Sequence, residues 1–353
     1  GSDASTLWDG RWLARDRIPR SRAEERGWLA TANTDPWGFT GDGRIDNDPW
    51  YYGSFFQAGY RGQRIEDEIT RMIQAGPVTL DQMKTLQMDT HSVLADDVLP
   101  LLAGAHARVG TDPALAGFQG DPDLDRVVQL LVREWDRRMT RDSPGALAWQ
   151  LFMHFFTEGA VKDDIALAYD VAVDLMTVFV VKVGAMALTG RYPDGDRILQ
   201  EGRDRILLQA ARRTAAWILD RYGEVDPAAA EYAFGDLKRV SFDDAYGTGM
   251  PVFRKPAGGG EDTVCVGTNI AFHEDAEEWV TTYVSVERTV GGFREDGAPE
   301  VYVNFPVGNR ADPESEDTGA ANRDYIEGRY RKFLFERHEI EANLRSRIVL
   351  QGE

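Results

Sequence analysis

The chain has 353 residues, of which 42% are hydrophobic and 28% are charged, a composition typical of a globular protein of one or two domains. Its formal net charge of −19 repels phosphate backbones and makes nucleic acid an unfavourable partner. A single cysteine, Cys265, excludes an intrachain disulfide, and the most apolar run, Ile165–Leu188, carries too many charges for a membrane span.

Three zones of different composition follow one another along the chain. Residues 1–64 are rich in Trp, Tyr, Gly, Asp and Arg and show little helical periodicity. Residues 65–235 have the apolar spacing and the end signals of helices. Residues 236–353 begin with short apolar runs between Gly and charged turns, which predict strands, and return to helix in the last thirty or so residues. The chain is therefore predicted to be an α+β protein.

Capping residues mark the helix boundaries in the central zone. A helix over 64–73 should end at Gly76-Pro77, and Thr79 with Gln82 forms the pattern of a capping box. Asp121 and Ser143 each precede a proline, which is the arrangement of an N-cap and a first helical residue. The remaining predictions are helices to about Met139 and about Gly159, a buried helix over Ile165–Leu188 that ends near Gly190, and a helix from about Asp194 to Tyr222.

Three segments of the last zone are enriched in β-branched and aromatic residues and are predicted to be strands. They are Asp262–Gly267, Trp279–Val286 and Pro299–Phe305. Gly291-Gly292 is predicted to form a tight turn between strands.

No complete metal-binding, phosphate-binding or nucleophile motif occurs in the sequence. The five histidines lack ligand spacing, and neither a Walker phosphate loop nor a Gly-x-Ser-x-Gly elbow occurs. Asp42, Asp46 and Asp48 superficially resemble a calcium loop, but the closing glutamate of an EF-hand is missing, which favours a solvated acidic turn. The residues alone thus indicate a mixed α and β protein without an assigned activity.

Three ordered segments nevertheless resemble one enzyme family. Gly27–Pro36 is similar to a "G-x-I-x-x-A-N-N-x-P" segment, Tyr60–Ile65 to "Y-R-x-x-R-I", and Leu86–Ser92 to "Q-x-D-x-x-S", all of the penicillin acylase family of N-terminal-nucleophile hydrolases. Looser similarities follow at Tyr232–Arg239, Gly258–Val264, Arg288 and Asp324–Phe335. The resemblance implies that this chain corresponds to the central to C-terminal part of the family's β-chain. It therefore also implies that the chain forms part of an αββα sandwich with a large helical insertion.

The resemblance also implies roles for particular residues. Asn33 matches the family asparagine that helps to hold the oxyanion, and Arg64 matches a family arginine near the amine of the nucleophile. Each has a plainer interpretation, because Asn33 could form an Asx turn and Arg64 a surface ion pair. Gln87 and Asp89 are expected to support the fold. The resemblance implies no cofactor for the chemistry. It does imply a structural calcium ion between chains, with Asp48, or alternatively Asp46, as its candidate ligand.

The nucleophile is expected to lie outside this chain. Family members cleave themselves to expose an N-terminal Ser, far upstream of the "A-N" segment, whereas Asn33 lies close to Gly1. Gly1-Ser2 resembles a cleavage junction, but the residues that follow lack the family's "S-N-x-W" start. The implied partners are therefore an α-chain, the N-terminal part of the β-chain and a small-molecule amide substrate, and a periplasmic or secreted location is expected.

Three functional hypotheses follow from these observations. The first is part of an amide hydrolase that removes an acyl group from an amide such as a β-lactam side chain or an N-acyl homoserine lactone, with this chain inactive alone. The second is a non-catalytic binding or structural relative of the same fold. The third is an unrelated helical protein in which the matching segments are a coincidence.

Overall fold

A computed structural model describes residues 12, 14–18, 20, 22–25, 27–34, 56–165, 168–169, 181–190, 195–242, 253–269, 277–307, 316–344 and 347–350. Helices dominate the described chain up to Leu237, and all seven strands of the described residues follow it. This mixture of helix and sheet confirms the α+β class. The αββα sandwich and the three-part division at residues 64 and 235 stay predictions.

The helices are numbered here in chain order. Those before the strands are α1 Tyr60–Ala75, α2 Leu80–Gln87, α3 Val93–Ala107, α4 Pro122–Gln129, α5 Pro144–Ile165, α6 over residues 181–188, α7 Gly195–Ile198, α8 Arg203–Tyr222 and α9 Phe234–Leu237. Two more, α10 Glu316–Ile326 and α11 Arg337–Ala342, lie near the C-terminus. Short 3-10 turns cover Arg15–Arg17, Ala23–Glu25 and Pro113–Phe118, and a π-helical turn covers Leu130–Glu134.

The predicted capping residues are confirmed at the start of several helices. At α2 the backbone N–H of Gln82 donates to Thr79 Oγ1 at 3.2 Å, and that of Thr79 donates to Gln82 Oε1 at 2.8 Å. Asp121 caps α4 and Ser143 caps α5 in the predicted way. These side chains satisfy N–H groups that have no partner inside the helix, which is why local sequence located them.

Three helix boundaries differ from the prediction. The helix after Asp121 changes to π-type hydrogen bonding at Leu130. It ends at Glu134, because the backbone of Trp135 is extended, and so it does not reach Met139. Helix α5 continues past Gly159 to Ile165, and Gly159 lies opposite Ile206 of α8 inside the helix. The helix predicted from Asp194 to Tyr222 is interrupted, because α7 ends at Ile198 and α8 begins after Gly202, which has a φ of +95°.

The hydrophobic core lies among α3, α4, α5 and α8. Leu99, Leu102, Phe152, Phe156 and Leu207 are completely buried there. Along α5 the rings of Trp149, Phe152 and Phe156 follow one another with centroids 5.8 and 6.4 Å apart. A helix that is apolar on nearly every face needs neighbours all round, so α5 is the central helix of the bundle. No helix among the described residues has the length and apolar character that crossing a bilayer requires.

Two sheets form the C-terminal part of the described chain. The first contains β1 Lys238–Phe242, β2 Phe253–Pro256, β3 Gly267–Asn269 and β4 Trp279–Val284 in the order β2-β1-β4-β3. Strands β1 and β4 are parallel, and the other pairs are antiparallel. The second sheet is an antiparallel meander of β5 Arg288–Phe293, β6 Pro299–Asn304 and β7 Arg331–Phe333.

Two strand-zone predictions are wrong. Asp262–Gly267 is a bent segment up to Val266, because Thr263 Oγ1 accepts from the N–H of Gly260 and donates to the carbonyl oxygen of Cys265, both at 2.8 Å, and thereby folds the backbone on itself. Gly291-Gly292 is not a turn but part of β5, opposite Val301 and Glu300. The turn lies at residues 294–298, where Gly297 has a φ of +77°.

Candidate active site

Asn33 lies on a segment that packs against the first turn of α1. Its backbone has a φ of +58°, which is uncommon for a residue other than glycine, and its carbonyl oxygen accepts from the N–H of Gln57 at 2.9 Å. A Cβ atom on Gly62 would lie 2.7 Å from Cγ2 of Thr34. The glycine of the "Y-R-x-x-R-I" segment therefore permits the "A-N" segment to lie directly on the helix.

Arg61 holds both the backbone and the side chain of this segment. Its Nη2 donates to the carbonyl oxygen of Ala32 at 2.9 Å and to Oδ1 of Asn33. Because a guanidinium can only donate, this contact identifies the Oδ1 end of the Asn33 amide and directs the Nδ2 end away. The exposed Asn33 side chain makes no further hydrogen bond within the described residues, so its two amide N–H donors are available to another group.

The charge of Arg61 is not balanced by a carboxylate in the described part of the chain. Its hydrogen bonds go to neutral oxygen atoms, and its buried Nε has no partner. Burial lowers the pKa of the Arg61 guanidinium, although an arginine remains protonated in proteins. The arrangement thus presents an amide donor and an uncompensated positive charge side by side, which is suited to a developing negative charge.

Arg64 is engaged elsewhere. Its Nε and Nη2 donate to Oδ2 of Asp89 at 2.8 and 2.6 Å, and its Nη1 lies 2.8 Å from a carboxylate oxygen of Glu68. The arginine that contacts Asn33 in the described structure is Arg61, one turn earlier on α1. A role for Arg64 in the reaction stays a prediction, whereas its ion pair with Asp89 is a feature of the fold.

The third matching segment connects the helices to the sheets. Gln87 Nε2 donates to the carbonyl oxygen of Thr289 on β5 at 3.1 Å, and Tyr330 Oη donates to Gln87 Oε1 at 2.6 Å. Ser92 caps α3 and also donates from Oγ to Asp262. These bonds join distant parts of the chain, in keeping with the supporting role that the sequence indicated for this segment.

A small cavity of about 60 Å³ adjoins Arg61, with Trp149, Met153, Lys182 and Glu261 among its lining residues. Burial, together with the nearby Asp262 carboxylate, raises the pKa of Glu261 to about 7. Burial also raises the pKa of Asp262, against the hydrogen bond from Ser92, which lowers it. The cavity wall therefore contains a carboxyl group that exchanges its proton near neutral pH.

A family model described as penicillin amidase matches residues 1–342. The chain belongs to the penicillin amidase family. The match confirms the resemblance that the three ordered segments indicated, and the hypothesis of an unrelated helical protein is wrong. No curated protein sequence matches the chain. Amide hydrolysis is accordingly the activity that the family assignment supports.

The sequence singled out segments that lie together in the structure, but it did not predict their contacts. Arg61 was part of a matching segment but was not predicted to contact Asn33, and no pattern indicated that Glu261 would be buried. Asp42, Asp46 and Asp48 lie outside the described residues, so the calcium ion with Asp48 as a ligand stays a prediction. Within the described residues, no group of three or more His, Cys, Asp or Glu side chains could hold a metal ion.

Proposed function

We propose that this chain is part of a penicillin-amidase-type amide hydrolase in which Asn33 stabilises the oxyanion of the tetrahedral intermediate. One observation carries the proposal: Arg61 binds the Oδ1 end of the Asn33 amide and leaves its Nδ2 donors without a partner in the described structure. The left-handed backbone of Asn33 is a conformation that asparagine tolerates better than other residues with a side chain.

In the proposed reaction, a serine hydroxyl attacks the carbonyl carbon of the amide substrate while an α-amine accepts the hydroxyl proton. Negative charge develops on the carbonyl oxygen, and an N–H of Asn33 donates to it. The guanidinium of Arg61 adds favourable electrostatic energy and keeps the amide in this orientation. Collapse of the intermediate expels the amine and leaves an acyl-enzyme ester, which water then hydrolyses to the carboxylic acid.

We place the nucleophile on a segment outside these 353 residues, so that an α-chain and the N-terminal part of the β-chain complete the enzyme. Ser92, a serine of the third matching segment, supports this view because its Oγ is already engaged with Asp262 and with the backbone of α3. The substrate class is a small acyl amide, such as a β-lactam side chain or an N-acyl homoserine lactone. Export to the periplasm or beyond the cell accompanies this assignment and is tested by fractionation.

The deciding experiment compares the complete enzyme, coexpressed from its natural reading frame, with this chain alone. We expect the complete enzyme to release acid from an acyl amide and the 353-residue chain to be inactive. Asn33→Ala should lower kcat by roughly 10²–10³-fold, the effect of removing one oxyanion donor. Because the variant also loses the hydrogen bond from Arg61 and places an alanine at a φ of +58°, its unfolding midpoint should fall, and kcat is compared at a temperature where both proteins are folded. Asn343→Ala, a change at the exposed end of α11, is the matched control.

Two results would overturn the proposal. Wild-type turnover in the Asn33→Ala enzyme would remove the oxyanion role, and turnover by the 353-residue chain alone would show that the nucleophile lies within it. A complete protein that binds acyl amides without hydrolysing any of a broad panel would establish the non-catalytic relative instead.

A further inference from the structure

A second, larger cavity is lined in part by Met88 and Thr90 of the third matching segment. Its volume is about 390 Å³, and it is bounded by Val240 of β1, Val284 of β4, Arg288 of β5 and Tyr325 of α10. Cys265, the only cysteine of the chain, also lines it. The cavity therefore lies between the two sheets and α10, and the active-site proposal does not use it.

Arg288 is the charged group in the wall of this cavity that is most deeply buried, with 5% of its surface exposed. Its Nη1 donates to Oδ1 of Asn304 at 2.9 Å and to the carbonyl oxygen of Tyr325 at 2.8 Å, and its guanidinium carbon lies 3.9 Å from the centre of the Tyr325 ring. Its Nη2 has only a weak contact of 3.8 Å with Sγ of Cys265. Its Nε is buried and has no partner.

The unsatisfied atoms of Arg288 lie on one edge of the guanidinium. Nε and Nη2 point in the same direction and together form the side-on fork that binds the two oxygen atoms of a carboxylate. In the described structure, Nη1 accounts for both oxygen contacts, and this fork meets no oxygen atom. Both donors belong to a residue of the cavity wall, and neither is bonded to an oxygen atom of the described residues.

Among the residues that the structure describes, no group in contact with Arg288 supplies a negative charge. Burial raises the pKa of the Cys265 thiol, and it raises the pKa values of Tyr325 and Tyr330 to about 12, so all three are neutral at pH 7. Two carboxylates do belong to the cavity lining, but Asp142 is 88% exposed and Glu327 pairs with Arg329. A buried charge without a counter-charge is costly, so an anion in the cavity would remove a specific penalty.

We propose that this cavity is a binding site for a small carboxylate or inorganic oxyanion, held side-on by Nε and Nη2 of Arg288. The hydroxyl groups of Thr90 and Thr140, which also belong to the lining, supply further donors. The volume suits a compact anion and its water but not a macromolecule. A free oxyanion and the carboxylate of a small metabolite share this chemistry, and the probes below separate them.

Cys265 provides a direct test, because its Sγ lies next to the proposed site and no other thiol exists in the chain. Alkylation is measured with iodoacetate and with iodoacetamide, which differ in charge; in both, sulfur displaces iodide and the thiol proton passes to buffer. We expect the iodoacetate to iodoacetamide rate ratio in the folded chain to exceed that of the urea-unfolded chain at least fivefold. A ratio equal to that of the unfolded chain would overturn the proposal.

Arg288→Gln should return the ratio to the unfolded value, whereas Arg294→Gln, just beyond the end of the same strand, should leave it unchanged. If Arg288→Gln fails to fold, the protection of the wild-type Cys265 thiol by added anions tests the proposal instead. Phosphate and acetate, each titrated at constant ionic strength against chloride, should slow iodoacetamide with a saturable dependence. Protection by acetate indicates a carboxylate site, protection by phosphate alone indicates an inorganic oxyanion, and no protection by either up to roughly 100 mM contradicts the site.

Discussion

Arg61 and Asn33 form a single hydrogen-bonded unit, in which one guanidinium nitrogen donates to Oδ1 of Asn33 and to the carbonyl oxygen of Ala32. The two contacts restrain the side chain and the left-handed backbone of the asparagine together. The family segment "Y-R-x-x-R-I" thus contains two arginines with different tasks here. The first contacts Asn33, and the second, Arg64, binds Asp89.

The first prediction concerns Arg61→Met in the complete enzyme. Removal of the guanidinium frees the Asn33 amide to rotate and removes a positive charge next to the proposed oxyanion site. Hydrogen bonds that involve a charged group contribute about 1.5–3 kcal/mol, so we expect kcat to fall roughly 10- to 100-fold while KM changes little. Steady-state kinetics measure both constants.

Arg61→Lys and Arg71→Met are the matched variants for this prediction. Lysine keeps the charge but lacks the planar fork, so it should recover only part of kcat. Arg71 lies on the exposed side of the same helix, and its loss should leave kcat unchanged. An unchanged kcat in Arg61→Met would show that the contact with Asn33 serves only the fold.

The second prediction is that Arg64 and Asp89 stabilise the fold through their ion pair. Their side chains are 19% and 10% exposed, and two nitrogen–oxygen distances lie below 3 Å. Arg64→Met and Asp89→Asn should each lower the free energy of unfolding by roughly 2 kcal/mol, and the double variant should cost less than the sum. Urea titration of the four proteins measures the coupling. A loss of kcat in Arg64→Met without a loss of stability would instead support the reaction role predicted from the family match.

The sequence predicted the first residues of several helices because their capping side chains are local. Thr79 and Gln82 lie within one turn of each other, and their mutual hydrogen bonds require nothing from the rest of the chain. The partner of Asn33 could not be predicted in this way. Arg61 and Arg64 are one turn apart on the same helix, and which of them meets Asn33 depends on how the segment before Thr34 packs across Gly62.

Buried charges were missed for a related reason. Lys238 is 1% exposed and Arg288 is 5% exposed, yet both look like ordinary charged residues in the sequence. Burial of each results from the association of loop, sheet and helix over long chain separations. The predicted strand Asp262–Gly267 failed differently, because hydrogen bonds of the Thr263 side chain replaced the sheet bonds that its neighbours favoured.

The third prediction uses the tight approach at Gly259. A Cβ atom there would lie 2.1 Å from the carbonyl oxygen of Cys265, and the φ of +91° is unfavourable for other residues. Gly259→Ala should lower the free energy of unfolding by about 2–4 kcal/mol, because both the backbone and the loop must move. Gly297→Ala is the control, since its φ is +77° but no atom lies near its Cβ, and about 1 kcal/mol is expected. Equal losses in the two variants would contradict the steric explanation.

The fourth prediction concerns the pH dependence of stability, which depends on Lys238 and Glu261. Lys238 Nζ donates to the carbonyl oxygen atoms of Gly259 and Gly267, and burial lowers its pKa from 10.5 to about 8. Between about pH 8 and pH 10.5, Lys238 binds more protons in the unfolded chain than in the folded chain, so the free energy of unfolding rises with pH. Burial raises the pKa of Glu261 from 4.5 to about 7, so in that lower range the folded chain binds more protons and stability falls with pH.

The two groups together predict a stability minimum between about pH 7 and pH 8. Glu261→Gln should remove the fall between pH 4.5 and 7 and increase the free energy of unfolding at pH 7.5 by on the order of 1–3 kcal/mol. Lys238→Met should remove the rise above pH 8, although loss of two hydrogen bonds lowers its stability at every pH. Urea titrations across the range measure the curves, with Glu295→Gln on an exposed turn as the control. A wild-type curve that rises steadily from pH 5 to 7 would contradict the assignment, because only a group that gains a proton on folding produces a fall there.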